Sequence, residues 1–364
     1  MKPLHKHPTM AIHQEEPLNA GPPLDALRRA YVTPQEYFFV RNHGNIPTID
    51  PATYCLSITG MVEQHLELSL AELKAMPSTT EVALLQCAGI RRTEMAAIKP
   101  IPGELLWGAE PIGNAQWRGV PLRTVLDEAG VQEGASHVAF KGLDEVWRYG
   151  EQVGFGGSIP LEKAPDVLLA YEMNGETLAP THGFPLRVVV PGYLGARSVK
   201  WLSNINLQTE PSKNYFQAHA YKLFPPHIGP HNVDWNNGEM LGELPLNAII
   251  CQPAEGAICQ AGHITVQGYA VSTYGVPIER IELSTDEGAN WIDVTILEPS
   301  HPWSWCFWET TLALPVGKHQ LIVRAWDVLQ HTQPQEIEQV WNFKGYMNNA
   351  WHRIDIMVQD DVVI

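Results

Sequence analysis

Several things are scarce in this 364-residue sequence, and each shortage closes off a class of protein. Cysteine is rare: five residues, at positions 55, 87, 251, 259 and 306, with no CxxC pair. An odd, scattered set excludes a disulfide framework and a structural zinc finger, and it fits a reducing compartment. Positive charge is also short, with 24 Lys and Arg against 40 Asp and Glu and a formal charge of -16. An acidic surface repels a duplex unless a basic stripe relieves it, and no such stripe is present, so nucleic acid is excluded as a partner. No apolar run approaches the ~18 residues of a membrane span, and the opening Met1-Lys2-Pro3-Leu4-His5-Lys6-His7 lacks the apolar core of a signal peptide. The reading is a cytoplasmic protein without a membrane partner. The stretch Val153-Gly154-Phe155-Gly156-Gly157-Ser158 is rich in glycine but has neither phosphate-loop nor dinucleotide spacing, which leaves a turn.

What is present describes a globular chain of two domains. Hydrophobic residues make up 45% and charged ones 18%, while Gly and Pro, 29 each, favour loops and turns over long helices. Residues 1–16 are polar and aperiodic, a flexible N-terminal arm. A proline-rich extended segment and a short helix over residues 24–30 follow. Residues 53–60 alternate as a strand, and Ser69 with Glu72 three residues on marks a capping box. Another short helix begins at Pro121 and ends before Gly130, a strand covers residues 137–140, and the apolar runs 167–171 and 186–190 suit central strands. Residues 208–245 are an irregular connection wrapping the first domain. Beyond it, runs at 264–269, 278–284, 291–297, 305–312 and 320–325 alternate between turn signals, which predicts a β-sandwich. Trp303, Trp305 and Trp308 fall in its core or at a dimer contact, and Cys55, Cys251, Cys259 and Cys306 read as buried packing residues.

The stretch that carries chemistry is Leu84-Leu85-Gln86-Cys87-Ala88-Gly89-Ile90-Arg91-Arg92. An apolar strand delivers one thiol to a glycine turn, with two arginines directly after it. Cationic neighbours favour an ionised thiol, and ionised sulfur ligates soft metals or attacks electrophiles. A small buried hydrophobe is the alternative. Arg41, Asn42 and His43 emerge from the aromatic run Tyr37-Phe38-Phe39-Val40, an anion-contacting loop or simply a solvated one. His182, Arg187, Arg197 and Lys200 lie at strand ends and in a glycine-punctuated loop, which suits a phosphate-bearing ligand. With one soft donor on offer, a metal here would owe most of its coordination to an organic cofactor, because zinc ordinarily wants three or four protein ligands.

These motifs, with Leu169-Ala170-Tyr171-Glu172-Met173-Asn174-Gly175, His182-Gly183-Phe184-Pro185-Leu186-Arg187, Gly195-Ala196-Arg197-Ser198-Val199-Lys200-Trp201 and the closing Trp341-Asn342-Phe343-Lys344-Gly345 and Asn349-Ala350-Trp351-His352-Arg353, resemble the sulfite oxidase family of molybdenum enzymes. The resemblance implies an α+β chain: a mixed α/β molybdopterin-binding catalytic domain over residues 17–235, then an immunoglobulin-like β-sandwich over 236–364 that forms a homodimer. It implies a molybdenum-molybdopterin cofactor with Cys87 as the protein's metal ligand. Phe39, Val40, Arg41, Asn42, His43, Asp144, His182, Arg187, Ser198, Val199 and Lys200 fall where the family holds the pterin. Arg41, Arg92, Trp107, Tyr221 and Lys344 fall at its substrate site. The implied reaction is oxygen-atom transfer to sulfite, giving sulfate. With no haem domain in the sequence, electrons pass to an external acceptor, oxygen or a soluble cytochrome. The family's nitrate-reducing branch is the second reading, and a non-catalytic β-rich binding protein is the third. Three departures from the family pattern, Ile90 for asparagine, Lys344 for arginine and Ala220 for aspartate, predict weaker sulfite affinity or another small oxyanion or sulfur substrate.

Overall fold

In this computed structural model the described residues are 6–148, 150–272, 275–298 and 301–360. The chain is mostly β, and its helices are few and short. The sequence dictates this, since its apolar residues repeat at period 2 far more than at 3.6. In Cys55–Gly60, Leu56 and Ile58 are fully buried while Cys55 faces the other way and is exposed. That corrects the expectation of a buried Cys55, whose thiol instead lies 3.0 Å from Glu67 Oε2 on the neighbouring strand. Cys251 and Cys306 are buried as expected, and Cys259 is half-buried. The capping box is present: Ser69 Oγ accepts the Glu72 N–H at 3.2 Å, and Glu72 accepts the Ser69 N–H at 2.8 Å.

Two sheets build the first part of the chain. One runs in the order Glu176–Thr177, Leu168–Met173, Ile112–Pro121, Thr79–Gln86, all antiparallel, with Arg187–Val189 also paired to Leu168–Met173. The other runs Leu66–Ser69, Cys55–Gly60, Leu202–Gln208, His137–Arg148, Glu151–Pro160. The glycine-rich stretch expected to be a turn is thus part of the edge strand Glu151–Pro160. Its glycines serve close pairing: a Cβ on Gly156 would stand 2.6 Å from the Phe140 carbonyl oxygen on the partner strand. An apolar core including Leu56, Leu73, Val125, Val138, Leu169 and Val188 joins the elements.

The expected sandwich is also there. A four-stranded sheet (Asn247–Gln252, Gly262–Val271, Trp305–Leu314, Thr295–Ile296) faces a five-stranded one (Ile258–Gln260, His352–Gln359, Gly317–Asp327, Ile278–Ser284, Ile292–Asp293). Val266, Ile281, Leu283, Trp308, Leu321 and Val358 fill the space between them. Trp305 has a different task from Trp308. Its indole N–H donates to the Tyr31 carbonyl at 3.0 Å, so it binds the sandwich to the first part of the chain.

That junction is extensive. Leu84, Ile90, Ile112 and Tyr221 share one apolar cluster with Ile249, Tyr269, Trp305 and Tyr346. Main chain also crosses it, with Leu84 N–H donating to Trp303 O and Met347 N–H to Ala88 O, each at 2.8 Å. The departure Ile90 is fully buried here, a packing residue of the junction.

The N-terminal arm differs most from expectation. Residues 1–5 lie outside the described residues, but Ala11–Gln14 pairs antiparallel with Asn19–Gly21, Met10 is buried, and Lys6 reaches deep into the fold. Backbone pairing and a buried methionine hold residues that composition marks as flexible. Among the described residues no helix is long and apolar enough to cross a membrane.

Candidate active site

Cys87 stands where the strand Thr79–Gln86 ends. Its N–H donates to Pro111 O at 2.9 Å, and its carbonyl accepts the Ile90 N–H at 3.1 Å, so the turn is fixed on both sides. The sulfur accepts from the Gly89 N–H at 3.4 Å and borders a cavity of about 700 Å³ including its open mouth. Arg91 then takes a left-handed conformation, φ 57°, and opens the helix Arg92–Ile98. This reversal separates the two arginines. Arg91 is fully buried and turns away from the cavity: it grips the Glu94 carboxylate at 2.8 and 2.7 Å and donates to Ala350 O at 2.6 Å and Trp351 O at 3.2 Å across the junction. Only Arg92 remains on the site's side, which corrects the picture of two cations beside the thiol.

The far wall of the cavity gathers cations out of water. Arg187 donates to His182 O at 3.0 Å and Ser198 O at 3.1 Å, and Lys200 donates to Thr181 O at 3.0 Å and to Asn42 Oδ1. Burial pushes the Arg187 guanidinium down to about 9 and, with Arg187 nearby, the Lys200 ammonium well below its ordinary range. The His182 imidazole is likewise driven well down by burial and by Lys6, Lys200 and Arg187. Desolvated positive groups crowded on one wall favour an anionic ligand, which would repay both burial and mutual repulsion. Lys6 belongs to this group, although sequence reasoning missed it. Its Nζ donates to Gln35 O at 2.5 Å and Phe38 O at 2.8 Å and lies 2.7 Å from His182 Nε2, and burial pulls it to about 7.

Asp144 faces the same cavity, and its buried Oδ1 has no hydrogen-bond partner among the described residues. Burial raises its carboxyl to about 6, with Lys200 opposing. A carboxyl that holds its proton more tightly folded than unfolded costs stability as pH rises from the usual carboxylate range to about 6, and the whole cost persists above that. Asp144→Asn should therefore stabilise the cofactor-free protein, by on the order of 2 kcal/mol at pH about 8 and much less at pH about 4. Melting temperatures of both proteins at the two pH values check this, and equal stability at the higher pH would contradict it.

A five-residue π-helical turn, Phe216–Ala220, delivers Tyr221 to the cavity. Its hydroxyl lies 2.8 Å from His43 Nε2, and His43 Nδ1 lies 3.2 Å from Arg41 Nη2. A guanidinium can only donate, so Nδ1 accepts, a neutral His43 carries its proton on Nε2, and the Tyr221 oxygen accepts from it. His43 is thus the polar partner that Ala220 does not provide. Burial raises the Tyr221 phenol to about 12, with Arg41 and Arg92 opposing and Cys87 and Glu104 reinforcing, so it stays a donor at neutral pH.

Phe39, Arg41, Asn42, His43, Cys87, Asp144, His182, Arg187, Ser198, Lys200 and Tyr221 all line this cavity. Val40 and Val199 stand behind it through backbone pairing, Val40 with Ala20 and Val199 with Val188. Arg92, Trp107 and Lys344, expected at the substrate site, are not on its wall. Arg92 Nε donates to Lys344 O at 3.0 Å and Gly345 O at 3.1 Å, and its guanidinium lies 5.1 Å from the Tyr346 ring. Tyr346 in turn stacks on Tyr221 at 5.4 Å, so Arg92 and Lys344 form a second layer beside the tyrosine pair. Trp107 is wholly buried under His13, at 4.3 Å between ring centroids, and does not reach the cavity.

Comparison with known proteins supplies the context for this geometry. Residues 43–216 match the oxidoreductase molybdopterin binding domain, and residues 239–359 match the Mo-co oxidoreductase dimerisation domain. The chain is 39% identical to a sulfite oxidase of Arabidopsis thaliana, over 96% of this chain and 94% of that protein. Identity to the mitochondrial sulfite oxidase of Homo sapiens is also 39%, over 97% of this chain and 66% of that protein. The sulfane dehydrogenase SoxCD of Paracoccus pantotrophus shares the fold at a TM-score of 0.79 and 25% identity, covering 97% of this chain and 86% of that one.

The residues present fit a metal carried by a pterin dithiolene. Among the described residues no group of three or more His, Cys, Asp or Glu could hold a metal, so a single thiolate suits an ion whose other ligands arrive with the cofactor. Cations on one wall suit a phosphate, while the unpartnered Asp144 oxygen on the cavity suits donors of a heterocycle. With both domain models matched in order and nearly the whole chain aligned to relatives at 39% identity, the protein belongs to the sulfite oxidase family of molybdopterin-dependent oxidoreductases.

Proposed function

We propose that the protein oxidises sulfite to sulfate as a homodimer formed through its C-terminal domain, releasing two electrons to an external acceptor, oxygen or a soluble cytochrome. The balance is sulfite plus water giving sulfate, two protons and two electrons. When bound, the molybdenum-pterin supplies oxygen-atom transfer and the two-electron change. The chain supplies the rest. Cys87 holds the metal. Arg187, Lys200, His182 and Lys6 hold the cofactor's phosphate end, and Asp144 and Asn42 engage its polar edge. Tyr221, kept protonated by burial and oriented by His43, donates a hydrogen bond to the reacting oxyanion, while Arg41 and Arg92 hold its charge in place. Arg92 reaches that charge from behind the Tyr221–Tyr346 pair.

The observation that carries this reading is one cavity on which a lone thiol and a protonated phenol both border, backed by four desolvated cationic or basic side chains. The deciding experiment uses protein with measured molybdenum content. About one molybdenum per chain and sulfite-dependent reduction of ferricyanide are expected, and comparison with cytochrome c and oxygen identifies the acceptor class. Molybdenum-loaded protein that leaves sulfite untouched would refute the substrate.

A further inference from the structure

One carboxylate sits among the cations assigned to the substrate. Glu104 Oε2 is 3.8 Å from Arg92 Nη2, and Glu104 Oε1 accepts from Lys344 Nζ. The same segment gives Arg92 a further acceptor, Leu105 O at 2.7 Å. The carboxylate is also felt beyond its partners, since its charge helps raise the phenols of both Tyr221 and Tyr346. One carboxylate therefore offsets part of the positive charge of both cations of the second layer.

The local structure lets this carboxylate be varied. Glu104 follows Gly103, whose positive φ of 81° lies in a turn where an added Cβ would meet nothing, so the segment is not packed in at that point. Glu104 and Lys344 side chains keep 17% and 19% exposure, and Leu106 is half exposed. Both side chains therefore keep some contact with water, and their charges can be varied without opening the core. Arg92 behaves otherwise. It is buried and fixed by three backbone carbonyls, so it stays in place when Glu104 is substituted.

Resting on the reading of this site as an oxyanion site, we infer that Glu104 is an internal competitor for the charge of Arg92 and Lys344, an anion that weakens their pull through the tyrosine pair on the bound oxyanion and so sets the enzyme's affinity for oxyanions. It acts through the two cations, as a positioning residue.

Glu104→Gln in the molybdenum-loaded enzyme tests this. Removing the negative charge that offsets Arg92 and Lys344 is expected to lower the Michaelis constant for sulfite about tenfold, with sulfate inhibiting at correspondingly lower concentration and kcat/KM falling more steeply with salt. Glu104→Ala, which leaves no amide to bond, should act in the same direction. The competing possibility, that Glu104 merely braces the two cations, gives the opposite sign: KM rises and sulfate binds more weakly. That result, or an unchanged KM, overturns the inference. Sulfate-dependent thermal stabilisation of both proteins is a separate arm that needs no turnover. Tighter sulfate binding by Glu104→Gln in protein that fails to oxidise sulfite would support the competitor role while refuting sulfite as substrate.

Discussion

Cys87→Ser is expected to lose sulfite turnover by at least ~10³-fold while the protein remains folded. The two halves of that expectation have different causes. Serine matches cysteine closely in shape, and the turn at position 87 is held by main-chain bonds from the Cys87 N–H to Pro111 and from Ile90 to the Cys87 carbonyl, neither of which involves the side chain. The substitution leaves no cavity in the core and removes only the weak contact from the Gly89 N–H. A hydroxyl, however, ionises far less readily than a thiol and is a hard donor, so it would not replace the soft ligand proposed at position 87. Turnover per molybdenum, measured beside the melting temperature, separates these effects. A melting temperature within about 3 °C of the parent with no sulfite oxidation is the expected pair of results. Full activity in the serine variant would remove Cys87 from the metal site and with it the proposed function.

The second large effect is on stability, at the next side chain but three. Arg91 is fully buried, and its guanidinium makes bonds to Glu94, Asn247, Ala350 and Trp351. Burial acts to raise the Glu94 carboxyl, but the Coulomb attraction and hydrogen bonds of Arg91 outweigh it and hold Glu94 below the usual carboxylate range. Arg91→Ala would take the counter-charge from a partly buried carboxylate and the shorter donor from each of two carbonyls, leaving Ala350 O with Gln333 Nε2 at 3.4 Å and Trp351 O with Arg353 Nη1 at 3.3 Å. Losing a buried guanidinium whose partner keeps some contact with water costs on the order of 3 kcal/mol, and the melting temperature should fall by on the order of 5–10 °C. Adding Glu94→Gln to Arg91→Ala should recover part of the loss, because the stranded charge is gone. An Arg91→Ala protein as stable as the parent would mean that the junction does not depend on this network.

Much of the site was readable in the sequence because its residues come in short local runs. Arg41 to His43, Cys87 with Ala88, and Ser198 with Lys200 each reach the cavity from one short stretch, so locating the stretch locates those members. Sandwich strands were equally readable, since alternation over a two-sided core is a strong period-2 signal. What escaped notice depends on contacts distant in sequence. Lys6 meets His182 across 176 positions, and nothing in a polar, aperiodic arm announces that contact. Glu104 reaches Lys344 across 240 positions, so its role depends entirely on how the second part of the chain folds back. Arg91 and Arg92 look equivalent on paper. One left-handed residue sends the first into the junction and the second toward the tyrosines. The edge strand Glu151–Pro160 was hidden for another reason: its glycines lower strand propensity, yet the close approach of its neighbour requires them.

The main-chain bonds from Trp303 to Leu84 and from Met347 to Ala88 bear on how such a protein can be recombined. A chimera that exchanged the sandwich for another of the same architecture would remove an acceptor from the strand leading to the thiol and a donor from the turn that follows it. The graft would also lack Lys344 and Tyr346, which meet the site only by way of the sandwich's closing segment. The sequence divides neatly into two modules, but the unit that can be inherited or transplanted with its chemistry intact is the pair.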